Sequence, residues 1–152
     1  MINAIESKVT SVDLKKYVGK WYVLACIPTE FDKSRNYICE DYKLVRGGKV
    51  EIETSYFEDN SRIETVSSAI AFPDKTSHYV RWKVQYVRPF KSDYVVEELA
   101  EDYSYAVVGH PERKFLYIMN RSGRMPESTF IDLLTLCGKK GYDLTQLRKV
   151  AQ

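Results

Sequence analysis

Residues 17–28, YVGKWYVLACIP, decide the reading of this chain. A glycine, one further residue, then Trp21 and Tyr22 open an apolar run that Pro28 closes. Aromatic and β-branched residues in a run of this length favour a strand, and the proline ends it. Tryptophan is large and hard to bury fully. Its position at the mouth of the first strong strand therefore calls for a structural explanation, which the rest of the pattern provides.

Strand and turn alternate after this point. NYICEDYKLV (36–45) reads as a second strand, followed by the glycine turn RGGK. In KVEIETSYF (49–57), Val50, Ile52, Thr54 and Tyr56 alternate with Glu51, Glu53 and Ser55, the period of two of a half-buried strand. IETVSSAIAF (63–72) is stopped by Pro73 and Asp74, and SHYVRWKVQYV (77–87) alternates Trp82, Val84 and Tyr86 with Arg81, Lys83 and Gln85. RPFKSD reads as a turn. YVVEELA (94–100) and YSYAVVGH (103–110) form a hairpin, and PERK leads into FLYIMNR (115–121). Eight short strands with no helix between them make an antiparallel up-and-down meander. The expected class is all-β, an eight-stranded antiparallel barrel, since closure removes the exposed edges.

The period then changes. PESTFIDLLTLCGKKGYD (126–143) sets Phe130, Ile131, Leu133, Leu134, Leu136 and Cys137 at helical spacing, with Pro126 and Glu127 in the first turn and Gly141 suited to the C-cap. One amphipathic α-helix after eight strands packs its apolar stripe on the outside of the barrel. LRKVA (147–151) adds a short final strand or tail. With no repeat, linker or low-complexity tract, the 152 residues read as one domain, 1–152.

Composition narrows the function. A net charge of +2 gives no strong field toward nucleic acid. No apolar run reaches transmembrane length. Twelve tyrosines suit strands and half-polar cavity walls. MINAIESKVTSVDLKK carries no apolar core of a signal peptide, so the expected location is the cytoplasm, with periplasm or outer membrane as the alternative if this is a mature exported form. Cys26, Cys39 and Cys137 have no zinc spacing, and a Cys26–Cys39 bridge stays open because sequence does not give strand register. His78 and His110 fall in turns and read as solvated. No nucleophile with its base, metal site or phosphate loop is visible, so no catalytic residue, metal or cofactor is expected.

Three local motifs, in order across nearly the whole chain, give it a likeness to the lipocalin family. VDLKKYVGKWYVLA (12–25) is similar to the opening block, with Gly19, Trp21 and Tyr22. EDYSYAVV (101–108) resembles the second block, with Glu101 in place of the usual threonine, and Arg121 matches the basic residue after the eighth strand. GYDLTQLRKV and the RPF turn look most like bacterial outer-membrane lipocalins and apolipoprotein-D-like relatives. The resemblance implies a calyx that binds and carries or stores a small hydrophobic ligand, such as a lipid, fatty acid or lysophospholipid. It also implies a structural floor of Gly19, Trp21 and Arg121, the arginine lying over the indole.

Alternation from Trp21, in the family register, assigns the calyx wall to Ala25, Glu40, Tyr42, Tyr56, Ser68, Ile70, Trp82, Val84, Tyr86, Tyr94, Val96, Glu98, Tyr105, Tyr117 and Met119. Val23, Ile38, Leu44, Val66, Phe72 and Val107 share the inward reading. Glu40 and Glu98 must pair, protonate or anchor a ligand amine or hydroxyl, because a buried lone carboxylate is costly. No basic residue is placed in the upper cavity, which weighs against a fatty-acid carboxylate. Two other functions are open: an isomerase-type lipocalin using a calyx thiol, although Cys39 reads as outward, and an interaction protein with a filled cavity and PTEFDKSRN (28–36) across the mouth. The chain is expected to be a monomer or weak homodimer, with peripheral association with membrane lipids as a further possibility.

Overall fold

The computed structural model describes residues 9–152. The first eight residues of the N-terminal segment lie outside them. A short helical turn, α1 (Leu14–Tyr17), precedes the first strand, its N-terminus capped by Asp13, whose side chain accepts from the Lys15 N–H. The strand periodicity gave no signal for it. The strands are β1 (Gly19–Ile27), β2 (Arg35–Val45), β3 (Lys49–Glu58), β4 (Thr65–Pro73), β5 (Arg81–Val87), β6 (Phe90–Leu99), β7 (Tyr105–Gly109) and β8 (Leu116–Asn120). A longer helix, α2 (Glu127–Lys139), follows, then a two-residue strand, β9 (Arg148–Lys149).

Neighbours in sequence pair antiparallel from β2 through β8, and β1 joins β8 on one side and β2 on the other, closing the barrel. β5 begins four residues later than read from sequence, because residues 75–80 form a tight turn with His78 and Tyr79 at positive φ. β6 begins four residues earlier, since the turn after Val87 is tight enough for Phe90 to pair back with Val87.

The β1–β2 ladder covers only Gly19–Tyr22 against Cys39–Tyr42. Above it the two strands separate, and β9 pairs with Ala25 and Cys26 in the gap. The Gln152 side-chain amide then donates to the carbonyls of Val23 on β1 (2.7 Å) and Ile38 on β2 (2.8 Å). Thus the last residues close the seam that the first strand leaves open.

Two cores share this barrel. The interior core includes Trp21, Val23, Tyr42, Ile52, Trp82, Val84, Tyr94, Val96 and Met119. The second lies between the barrel wall and α2 and includes Ala25, Ile27, Val107, Leu116, Ile118, Phe130, Leu133 and Cys137. Lys140, just past α2 and buried, secures this contact: its Nζ donates to the Glu97 carbonyl (2.7 Å) and stands 3.6 and 3.8 Å from the Glu97 and Glu98 carboxylates. Tyr142 adds hydrogen bonds to Glu97 (2.5 Å) and the His110 carbonyl (3.1 Å).

At the closed end the three sequence motifs converge. The Arg121 guanidinium lies 3.6 Å from the Trp21 ring centroid. It donates to the carbonyls of Lys16 (2.8 Å), Tyr17 (3.0 Å), Lys20 (2.8 Å) and Tyr103 (3.2 Å). Gly19 sits at φ +103°, and a Cβ there would stand 3.3 Å from Arg121 Nη1, so both its backbone and its surroundings favour glycine. The Trp21 indole N–H donates to the Tyr17 carbonyl at 2.8 Å. Arg121→Met keeps an apolar stem but removes the cation–π contact and leaves the carbonyls short of donors. A loss of about 2–4 kcal/mol is expected in urea-induced unfolding.

Candidate functional site

The lower barrel is filled by aromatic rings. Trp82 stacks on Tyr94 with centroids 4.9 Å apart, and Tyr17 packs within 5.4 Å of both Trp21 and Trp82. Hydroxyls in such a core need partners, and here they bond to one another. The Tyr17 and Tyr94 hydroxyls are 2.5 Å apart, those of Tyr94 and Tyr42 are 3.0 Å apart, and Tyr42 donates to Glu40 Oε1 at 2.9 Å. This polar chain climbs from the floor and ends on a carboxyl group facing the lumen opposite Trp21 in register. Burial, opposed by the Tyr42 hydrogen bond and reinforced by nearby Asp32, raises the Glu40 carboxyl to about 7.

Above Glu40 the filling stops. Tyr86 is 54% exposed as a residue. Its hydroxyl nevertheless sits among protein groups and is held above the usual phenol range, first by burial and then by the charges of Glu40 and Asp32. Thr65 and Ser67 share the inward side of the sheet with their partners Tyr56 and Thr54, yet both are exposed. β4 pairs with β5 only over Ile70–Pro73, so its upper half has no β5 partner. Water therefore reaches the upper lumen from the mouth.

Arg35 and Arg148, which sequence reading did not place here, stand at this level. Arg35 Cζ lies 4.0 Å from the Tyr56 ring centroid. Arg148 pairs with Cys26 and donates to the Arg35 backbone carbonyl. Alternation alone does not locate Arg148, because β9 enters the barrel only through the gap between β1 and β2. The expectation of an upper cavity without a basic residue is therefore corrected.

Of the residues assigned to the calyx wall, Glu40, Tyr42, Tyr56, Trp82, Val84, Tyr94, Val96, Tyr117 and Met119 lie on the inner face, with Tyr86 beside the lumen charges. Five do not. Ala25 packs under α2, because a bulge between Val23 and Ala25 reverses the side of every later β1 residue and turns Cys26 inward. Glu98 faces Lys140 outside the barrel, after a second bulge between Val96 and Glu98. Tyr105 packs against the α2 core together with Val107, while Ala106 and Val108 face in.

Ser68 and Ile70 face out because β4 is shifted by one residue from the reading: Ala69 and Ala71 pair with the inward Ile52 and Val84. Val66 and Phe72 turn outward with them, and Phe72 carries Lys91 (4.2 Å) and Lys49 (5.4 Å) over its ring. The inward positions of β4 are small because aromatic neighbours already occupy the interior, and a hydrophobicity pattern does not show small residues as core. Leu44, read as inward, is 42% exposed near the end of β2.

All three cysteines are free. Cys26 faces the interior and Cys39 pairs with the outward Tyr22, so the two do not bridge. Burial pushes the Cys26 thiol up to about 11 despite Arg148 nearby. His110 is 6% exposed, against the solvated reading, with Nδ1 accepting from the Glu112 N–H at 3.0 Å and burial lowering its pKa.

A closed antiparallel barrel, sealed by aromatic rings at one end, open at the other and flanked by one helix, is a calyx. The family described as the lipocalin-like domain matches residues 12–152, and the chain belongs to the lipocalin family. It is 29% identical to Temperature-induced lipocalin-1 of Arabidopsis thaliana, over 95% of this chain and 81% of that protein. Identity to Outer membrane lipoprotein Blc of Vibrio cholerae is 26%, over 95% and 85% respectively. Lobster apocrustacyanin A1 superposes with a TM-score of 0.73 at 16% identity, covering all of this chain and 93% of that one, a likeness of fold. Lipocalins bind small hydrophobic ligands and are generally non-enzymatic carriers. Among the described residues no helix is long and apolar enough to cross a membrane.

The position of Glu40 has a measurable consequence. An unfolded glutamate titrates near 4.5, the folded one near 7. Below the lower value both states hold the proton, and burial carries no charge penalty. Between the two values only the unfolded chain ionises, so stability falls as pH rises and levels off above about 7. Glu40→Gln keeps an acceptor for Tyr42 and removes the titration. Its stability relative to wild type should rise by about 1–3 kcal/mol between pH 4.5 and 8 in urea unfolding.

Proposed function

We propose that this lipocalin binds a small hydrophobic molecule in its calyx and carries or stores it, the ligand being a lipid, a fatty acid or a lysophospholipid-like amphiphile. The observation that carries this reading is the division of the interior: aromatic packing below Glu40, inward-facing residues open to water above it. Ligand pockets are concave, mostly apolar and supplied with a few polar groups. The wall here supplies Tyr56, Tyr117, Met119 and Cys26 with Glu40 and Tyr86 among them.

The isomerase reading needs an activated thiol at the ligand. Cys39 lies on the outer face, and Cys26 is held protonated at neutral pH, which favours a carrier. An environment-sensitive apolar dye should bind at one site and be displaced by long-chain amphiphiles, and native mass spectrometry should find a co-purified small molecule. Absence of both results would favour a filled barrel that acts through protein partners.

The mouth supports a second part of the proposal, peripheral association with membrane lipids by a monomer or weak homodimer. Phe31 and Ile63 in the loops, and Val87 and Phe90 at the strand ends, around the open end, are 83%, 78%, 63% and 74% exposed. Arg88 and Lys91 flank Phe90 in sequence. Exposed apolar side chains beside cations suit an anionic lipid surface. Co-sedimentation with phosphatidylserine-containing vesicles should fall severalfold in Phe90→Ser, with unfolding unchanged.

A further inference from the structure

One level of the barrel wall breaks the apolar pattern of the interior. The ladders set Glu40 on β2 opposite Thr54 on β3, and Thr54 opposite Ser67 on β4. All three face the lumen: Glu40 is also opposite the interior Trp21, Thr54 alternates with Ile52 and Tyr56, and Ser67 with Ala69 and Ala71. Residues directly opposite in an antiparallel pair have Cβ atoms about 5 Å apart, so the three make one continuous row roughly 10 Å long. The row below it, Tyr42, Ile52 and Ala69, belongs to the filled core. The polar row is therefore the floor of the open lumen.

The fold leaves the groups of this row unused. Glu40 Oε1 accepts from Tyr42, and no protein group among the described residues bonds its other oxygen. The hydroxyls of Thr54 and Ser67 have no hydrogen-bond partner among the described residues, and Tyr86, which feels the Glu40 charge from β5, has none either. Thr54 is only 8% exposed. Burying a hydroxyl without a partner costs about 1–3 kcal/mol. Valine has nearly the same shape, suits a strand equally well and carries no such cost, so strand and core do not account for threonine here.

Charges around the row offset one another. Arg35 stands opposite Glu58 in the β2–β3 ladder, and its charge also acts on Asp32 and Glu40. Asp32 acts on Glu40 in the opposite sense. A charged head would disturb this balance, whereas an uncharged group leaves it intact. A carboxyl accepts when ionised and donates when protonated, and the threonine and serine hydroxyls do both. The group that matches such a set in either state is another hydroxyl, with one donor and two acceptor lone pairs.

We infer that Glu40, Thr54 and Ser67 form a hydroxyl-recognising row at the floor of the open calyx, for the alcohol group of an uncharged lipid that inserts hydroxyl first. This rests on the carrier reading and adds the ligand's polar group and its orientation. The hydroxyl sits over Thr54, with Glu40 and Ser67 on either side of it, and the hydrocarbon runs toward the mouth past Tyr56 and Tyr117. A partner left unmet in a buried site is costly, so the row selects for a group that can both donate and accept.

The test compares dodecanol, dodecyl methyl ether and dodecylamine, which share one chain and differ at the head, by displacement of an apolar dye at pH 8. Wild type should bind the alcohol about fivefold or more tighter than the ether, which keeps the oxygen but cannot donate. Thr54→Val and Ser67→Ala should each weaken the alcohol about threefold or more and the ether less than about twofold. Glu40→Leu should abolish the preference for the alcohol, and Glu40→Gln, whose amide both donates and accepts, should keep it. Alcohol and ether bound equally by wild type, or changed equally in Thr54→Val and Ser67→Ala, overturn the hydroxyl row while leaving the carrier intact. An amine bound tighter than the alcohol does the same. Failure of the dye and all three lipids to bind overturns the carrier reading itself. Because Glu40→Leu also removes the acceptor of Tyr42, circular dichroism accompanies it, and Thr54→Val with Ser67→Ala decides the case if Glu40→Leu is unfolded.

Discussion

One side chain secures the closed end. Arg121 leaves β8 and lies flat on Trp21, its donors spread over carbonyls from α1, the start of β1 and the β6–β7 turn. These segments are far apart in sequence and have no shared ladder of hydrogen bonds at this point. A planar cation is suited to the task, because its donors radiate in one plane while its face remains free for the indole. Trp21 is fully buried as a result, which answers why so large a residue opens the first strand. With the base fixed, the register of β1 against β2 and β8 follows, and so do the sides on which later residues emerge.

The bulges in β1 and β6 are the next determinants. Each lets one strand serve both cores. β1 gives Val23 and Cys26 to the interior and Ala25 and Ile27 to the helix interface, which no unbroken strand with a period of two could do over so few residues. β6 does the same with Val96 inside and Glu98 toward Lys140 outside. Glu40 has no such escape and stays within the barrel, where the Tyr17–Tyr94–Tyr42 chain gives it a donor. Two acids that look alike in sequence thus have opposite environments: Glu98 beside a buried ammonium group, Glu40 at the end of a line of phenols.

The architecture was legible in the sequence because strand periodicity, turn residues and the change to helical spacing all agreed. The floor was legible because three separated motifs meet there. The wall was read less well, for physical reasons. Alternation propagates an error past a bulge, which is why Ala25 and Glu98 appear on the wrong side, and a bulge has no sequence signal of its own here; Tyr105 was misread on an unbroken strand, where the smaller Ala106 and Val108 face in. Ser68 and Ile70 were misread because the larger apolar residues of β4 face out, Phe72 beneath two lysines and Val66 exposed, while its alanines face in. Arg148 was invisible for a third reason: only the splaying of β1 from β2 brings a residue so late in the chain to the mouth.

That splaying also shapes the calyx. Near Trp21 the wall consists of eight strands, with β1 and β2 in direct contact; near Cys26 it carries a ninth, β9, wedged between them. Neighbouring strands lie about 4.8 Å apart, so the circumference grows by roughly an eighth from base to rim. The vessel is a cone rather than a cylinder. Its width is set at the narrow end by stacked rings and at the wide end by a wedge made from the chain's own tail.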